Sequence, residues 1–554
     1  MKYILFIPIL LLYITEIQSQ SLVPLYTKSG MVMSTRSSAS EIGNAILKKG
    51  GNAVDAAIAT GFALAVVYPQ AGNIGGGGFM LIRLPHGEVS MLDYREKAPL
   101  TASPAMYLDS LGQVLPNSSL IGYLACGVPG TVAGFYEAHR RFGRLPWSDL
   151  LQPAIDLAQN GIIIDRRMAS SLARKFDRLQ QFPGSREIFT RAGKPLAEND
   201  TLFQKDLAST LRIIQTAGAP GFYSGLTAEK IITAMAKNGG LITARDLKQY
   251  KAIWRKPISI DYRGYTIYSA APPSSGGVVL AEIFNALENI DVRQSGHNSS
   301  ELIHFWVEIE RQVYTDRARF LGDPDFINMP IESLISKSTG KKIFNSINPD
   351  YARPAAATIP RIIESDQTTH FSVVDAGGMA VSNTFTLNDS YGSGVVIAGT
   401  GILLNDEMDD FALKSGIPNA FGLTGGEANA IAPGKRMLSS MSPTIVTRSD
   451  STILILGSPG GATIITTVAQ VISNVLDHQM NIRQAVCAPR FHHQWLPDSL
   501  AVEVNGFSSD VLQKLTQKGH SIKVVSVLGD VQAIMWDSHY QEWSGWSDPR
   551  KDGL

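Results

Sequence analysis

Residues Ser365–Asn388 carry two threonines whose spacing can bring them together: SDQTTHFSVVDAGGMAVSNTFTLN. HFSVVD and MAVSNTFTLN alternate like strands, and Ala376-Gly377-Gly378 between them reads as a hairpin loop. With Asp375 opposite Met379, Ser372 falls opposite Ser382 and Thr368 opposite Thr386, about 5 Å apart between Cβ atoms. A slip of one residue would abolish the pairing. Threonine is common on half-buried sheets, so on spacing alone an ordinary sheet remains a rival reading. The position of Thr368 adds a second consideration, because it opens its strand directly after a polar, proline-bearing run. If the chain were cut between Gln367 and Thr368, one residue would hold a hydroxyl nucleophile and a free α-amine. That amine has a reference pKa of about 7.7–8.0 and can act as the general base a hydroxyl needs.

The rest of the chain limits the alternatives. It has 554 residues with 49 Lys+Arg and 49 Asp+Glu, a zero net charge that argues against nucleic acid as an obligate partner. With 44% apolar and 18% charged residues, the composition is that of a globular protein with a large core. Lys2 followed by YILFIPILLLYI reads as a secretory signal over residues 1–20, too short an apolar run for a membrane span. An uncleaved anchor is the rival, and release into a periplasm or outside the cell is the expectation. Cys126 and Cys487 allow one disulfide but no framework. No metal site is expected, since the adjacent His492 and His493 point to opposite sides of a strand and suit hydrogen bonding better than chelation. No cofactor is expected either.

Elements able to position these residues are legible along the chain. Ser40 can cap a helix running to Lys49, stopped by Gly50 and Gly51. NAVDAAIATGFALAVVYP reads as a second helix, apolar on nearly all sides and therefore buried. GNIGGGG then leads into the strand FMLIRL. It fails as a dinucleotide fingerprint, because a helix precedes it and a strand follows, and tight packing is its expected role. Residues 130–350 look mainly helical, and 340–367 read as an exposed linker. After Thr368 the texture turns to strands, with ATIITTVAQVISNVLD as a helix following GSPGG. A two-layered sheet covered by helices fits this order better than a repeated βαβ fold.

GGNAVDAAIA, GNIGGGGFM, DYREKAP, DQTTHFSVVD, NDEMDDF, PGKRMLSSMSPTIV, GSPGGATIITT, APRFHHQWLPD and SDPR, in that order, resemble the γ-glutamyltranspeptidase family of N-terminal nucleophile hydrolases. The resemblance runs over nearly the whole chain after the leader. It implies an α+β fold, a four-layer αββα sandwich, made as a precursor that cuts itself before Thr368. The products would be a large subunit, 21–367, and a small catalytic subunit, 368–554, held as a heterodimer in one folded unit.

By the same resemblance Thr368 is the nucleophile of processing and catalysis, and Thr386 the hydroxyl that bonds it. Asn388 shares that strand face and meets substrate or lid. Arg95, with Ser439 and Ser440, matches the binding site for an α-carboxylate, where a forked guanidinium suits two oxygens. Glu407 and Asp410 receive an α-ammonium. Without the resemblance, Arg95 between Asp93 and Glu96 reads as a surface ion pair, and the acidic pair as a solvated turn. Gly460 and Gly461 supply backbone N–H groups to an oxyanion hole near a positive helix end. The segment NAFGLTGG is similar to the family's lid, with Phe421 where some members carry tyrosine. That leaves no phenolic hydrogen bond to Asn388.

The activity implied is acyl transfer from glutathione and other γ-glutamyl compounds to water, amino acids or dipeptides, through an ester on Thr368. Two alternatives stand beside it. One keeps the fold but changes the substrate, to a glutaryl-cephalosporin or poly-γ-glutamate. The other is a non-catalytic binding protein that is never cut.

Overall fold

The Thr368 hairpin forms with the register expected. In the computed structural model, which describes residues 23–354 and 368–551, Thr368 lies opposite Thr386 and Ser372 opposite Ser382, and the Asp375 N–H donates to Met379 O at 3.0 Å. Residues 1–20 and Gln367 lie outside the described residues.

The hairpin sits in the middle of a six-stranded antiparallel sheet. Thirteen strands make the two main sheets: β1 (Leu25–Thr27), β2 (Gly30–Ser34), β3 (Gly77–Arg83), β4 (Val89–Asp93), β5 (Ile253–Arg255), β6 (Ile258–Tyr262), β7 (Tyr265–Ser269), β8 (Thr368–Asp375), β9 (Ala380–Thr386), β10 (Thr444–Arg448), β11 (Ser451–Gly457), β12 (Gln532–Asp537) and β13 (Glu542–Ser547). The six-stranded sheet runs β2-β8-β9-β3-β4-β5, and the seven-stranded sheet β1-β13-β12-β11-β10-β7-β6. The two stack face to face. Helices α1 (Ser37–Lys48) and α2 (Ala53–Val67) cover the first, while α3 (Gly276–Leu287), α4 (Ser300–Phe320) and α5 (Thr463–Leu476) pack outside the second. The result is an αββα sandwich, the two-layered sheet read from the element order.

Alternation along β8 sorts its side chains between layers. Phe371 and Val373 join the apolar cluster under α2. His370 and Ser372 instead meet polar groups in the interior, where the Ser372 hydroxyl donates to Gln532 O of the other sheet at 2.9 Å. Because that hydroxyl donates onward, it accepts from His370 Nε2–H (3.1 Å), and Nδ1 accepts from the Thr384 hydroxyl (2.8 Å). Burial holds the imidazole neutral, with its pKa lowered to about 3. Gly457 makes room for the ring: a Cβ there would lie 2.3 Å from Nδ1.

Helix α2 is buried at every position, as its uniformly apolar sequence predicts, and Asn52 and Asp55 close it with a capping box. Other expectations need correction. Ser40 does not cap α1. The helix starts earlier, at Ser37, and Ser40 lies in its first turn with its hydroxyl 2.8 Å from that of Ser34. The stretch 130–350 is not uniformly helical, since β5, β6 and β7 interrupt it. Ile258, Ile260 and Tyr262 are buried and alternate with exposed Ser259 and Asp261, a period of two hidden among helices. The linker read from 340 begins inside a helix, Lys337–Asn345, whose Ile343 packs into the core. Cys126 and Cys487 are both free thiols.

Candidate active site

Strands β8 and β9 end at one small pocket, which Thr368 and Thr386 both line. The Thr368 hydroxyl donates to Thr386 Oγ1 over a long 3.4 Å, and Thr386 Oγ1 also accepts the Asn388 N–H at 2.8 Å. Asn388 does not continue the strand. β9 stops at Thr386, and Asn388 takes φ +80°, a left-handed conformation that asparagine tolerates better than most residues. The turn folds its backbone onto the threonine, and its side-chain amide donates to Asp406 O at 3.1 Å. Asn388 still lines the pocket.

The glycine-rich GNIGGGG packs beneath this pair, as its sequence suggested. A Cβ at Gly76 would lie 2.0 Å from Thr386 O, and one at Gly78 2.3 Å from Thr384 O. Asn73 locks the contact, with Nδ2 donating to Thr386 O and Oδ1 accepting the Gly76 N–H, each at 2.9 Å.

Arg95, Asp410, Phe421, Ser439, Ser440 and Gly461 form the rest of the wall, with Leu423, Met441 and Ile464. Arg95 is no surface residue. Its side chain is 1% exposed and its guanidinium is gripped by Glu407 at 2.6 Å and by Asp410. Burial works against its charge, but Glu407 and Asp410 outweigh burial and raise its pKa. Glu407 is fully buried behind the pocket, so the acidic segment is not a solvated turn either. Burial raises the Glu407 pKa well above the carboxylate range despite Arg95, and raises that of Glu96 to about 8. Asn405 pins this segment to the glycine-rich loop, donating to Gly75 O (2.8 Å) and Gly127 O (2.9 Å).

Gly460 and Gly461 form the turn ahead of α5, with φ +137° and +57°. A side chain at Gly460 would collide with Thr463 Oγ1 at 2.3 Å. Gly461 lines the pocket and Gly460 stands one residue behind it. The helix end adds a positive dipole to this wall.

Sequence reasoning missed two side chains. Arg317 on α4 stands behind the serines, donating from Nε to Ser275 Oγ (3.0 Å) and from Nη2 to Ser440 Oγ (3.2 Å). In a run of charged helical residues, EIERQVYTDRARF, it carries no distinguishing local signal. Gln494, from the FHHQW motif, donates Nε2 to the carbonyls of Phe421 (3.1 Å) and Leu496 (3.2 Å). Two carbonyls on one side fix the amide orientation, so Oε1 accepts from His492 Nε2 at 2.9 Å. His492 Nδ1 then accepts from Thr466 Oγ1 of α5 at 2.8 Å, which ties Phe421 to the helix carrying the glycine turn. His493 bonds Asp498 instead, so the two histidines serve hydrogen bonding. Among the described residues no group of side chains is arranged to hold a metal ion.

A family model described as gamma-glutamyltranspeptidase matches residues 39–554. The chain is 48% identical over 531 residues to the glutathione hydrolase proenzyme of Escherichia coli, covering 95% of this chain and 91% of that protein. Among solved structures, cephalosporin acylase from Bacillus halodurans superposes with a TM-score of 0.86 at 28% identity, over 100% of this chain and 99% of that one. Gamma-glutamyltranspeptidase from Helicobacter pylori superposes with a TM-score of 0.59 at 49% identity, over 59% of this chain and 94% of that one.

Proposed function

Since the chain belongs to the γ-glutamyltranspeptidase family of enzymes, with the N-terminal nucleophile hydrolase fold, we propose that it transfers the γ-glutamyl group of glutathione and related amides to water or to an amine through an ester on Thr368. One observation carries the reading: the Thr368–Thr386 pair shares a pocket with Arg95 and Asp410, a hydroxyl nucleophile beside both signs of charge.

The first step is scission between Gln367 and Thr368, which gives Thr368 a free amine and divides the chain into 21–367 and 368–554. The amine, with a reference pKa of about 8, takes the hydroxyl proton as Oγ1 attacks the γ-carbonyl. Thr386, bonded to that oxygen, orients it. The backbone N–H groups of Gly460 and Gly461 meet the negative charge developing on the carbonyl oxygen, a contribution of about 3–4 kcal/mol in other enzymes. The C–N bond breaks and the leaving amine takes the proton. Water or an amino acid amine then attacks the ester, the Thr368 amine again acting as base.

Recognition uses the zwitterionic end of the γ-glutamyl group. Arg95, Ser439 and Ser440 hold the α-carboxylate, while Asp410 and Asn388 face the α-ammonium and Glu407 stands behind them. Arg95 is ion-paired with Glu407 and Asp410. A bound substrate supplies each with a substitute, so its charges enter a low-dielectric site without leaving any group unpaired. The chain is exported, with residues 1–20 removed; among the described residues no helix is long and apolar enough to cross a membrane.

The full superposition on a cephalosporin acylase favours a second reading, cleavage of a glutaryl amide that lacks the ammonium. Turnover of glutathione and of glutaryl amides by the purified mature protein separates the two. N-terminal sequencing tests the premise: termini near residue 21 and at Thr368 support the mechanism, and an active uncut chain overturns it.

A further inference from the structure

Arg317 is a buried cation with no ion-pair partner among the described residues. Its residue is 4% exposed, and its side chain bonds the hydroxyls of Ser275 and Ser440. Other deeply buried guanidiniums are matched: Arg95 by Glu407, Arg436 by Asp93 and Arg490 by Asp548. Among the described residues no carboxylate lies within ion-pair reach of Arg317. Asp410 favours its charge from a distance, Arg95 opposes it, and burial lowers its pKa. An unpaired buried charge is costly and persists where something binds to it.

The two hydroxyls show what it acts on. Ser440 Oγ accepts from Arg317, so its hydrogen is left to donate, and Ser440 lines the pocket. Ser275 Oγ accepts from Arg317 Nε and donates to Ser439 O at 2.7 Å, reinforced by the Ser275 N–H at 2.8 Å. One guanidinium therefore sets both pocket serines. It also brings positive charge that the acids around Arg95 do not cancel.

We infer that Arg317 is a positioning residue for the anionic end of the substrate, holding Ser440 with its hydrogen free to donate into the pocket and giving the serine wall the net charge that selects a carboxylate. The inference rests on the γ-glutamyl reading above and adds a residue to it.

The test compares γ-glutamyl-p-nitroanilide with 4-aminobutyryl-p-nitroanilide, which lacks only the α-carboxylate, on the full-length expressed protein. For the parent, kcat/KM favours the first substrate strongly. Arg317→Gln raises KM for the γ-glutamyl substrate roughly 10- to 100-fold with little change in kcat, and leaves 4-aminobutyryl turnover unaltered, so discrimination falls by the same factor. Arg317→Lys keeps the charge without the fork and falls between. Ser275→Ala, outside the pocket wall, raises the same KM by roughly 3- to 10-fold and gives a readout should Arg317→Gln fail to fold. Equal losses on both substrates, or unchanged discrimination in Arg317→Gln or Ser275→Ala, overturn the inference while leaving the γ-glutamyl reading intact. A parent enzyme that does not discriminate overturns that reading, and the inference with it.

Discussion

At the residue scale, the Thr368 hydroxyl reaches Thr386 Oγ1 over 3.4 Å, and the nearby His370 is committed to Thr384 and Ser372. On the proposed mechanism the base is the α-amine of Thr368. Thr368→Ala should therefore remain a single full-length band on a denaturing gel with no γ-glutamyl turnover; a variant still split after residue 367 would have another nucleophile. Thr386→Val keeps shape but loses the hydroxyl that accepts from both Thr368 and Asn388. Its kcat should fall roughly 5- to 10-fold at nearly unchanged KM, in line with one lost hydrogen bond of roughly 1–1.5 kcal/mol at the reacting oxygen. Arg95→Lys replaces a fork with a point charge and should raise KM roughly 30-fold or more, while precursor cleavage proceeds. Equal loss of processing and turnover would make Arg95 a structural residue.

The elements that matter most are the acidic turn, the Phe421 segment and α5, because hydrogen bonds join all three. Asp409 accepts the Ala420 N–H at 2.8 Å and the Ser119 hydroxyl at 2.7 Å, anchoring the Phe421 segment at its base. Burial raises its pKa to about 6 despite those bonds. The folded protein thus holds a proton that the unfolded chain releases near pH 3.8, so ionisation costs stability as pH rises from about 4 to about 6. Asp409→Asn removes that cost. The Tm difference, variant minus parent, should climb through this window and level off above pH 6; a flat difference would show that Asp409 titrates normally. At the other end of the segment, Gln494 holds the Phe421 carbonyl. Gln494→Leu should raise KM roughly threefold to tenfold without blocking precursor cleavage, read by steady-state kinetics and a denaturing gel.

For the whole molecule, the decisive feature is how the segments before and after Thr368 interleave. In the six-stranded sheet, β8 and β9 lie between β2 and β3; in the seven-stranded sheet, β10 to β13 lie between β1 and β7. A cut before Thr368 removes one peptide bond and leaves every ladder intact. Pulling the fragments apart would expose new unpaired edges in the middle of both sheets at once, a strong liability to aggregation. The two chains should accordingly co-elute in native size-exclusion chromatography and separate only in denaturant, with one shared unfolding transition. Two separate transitions would indicate independently folded subunits.

The hairpin was legible in the sequence because its determinants are local: a glycine loop sets the register and a side-chain period of two sets the faces, so Thr368 and Thr386 must meet. The burial of α2 was legible for the same reason, since a helix apolar on all sides has only one place to go. The strands β5 to β7 were hidden because they are short and set among helices, and their alternation becomes decisive only once a sheet edge is there to receive them. Whether Arg95 lies on the surface or in the core could not be read from its neighbours, because its partners Glu407 and Asp410 lie more than 300 residues away. The same holds for Arg317 and Gln494, whose hydroxyl and carbonyl partners stand on other segments. Local periodicity decides which way a side chain faces, and only the packed fold decides which distant charge or dipole it finds there.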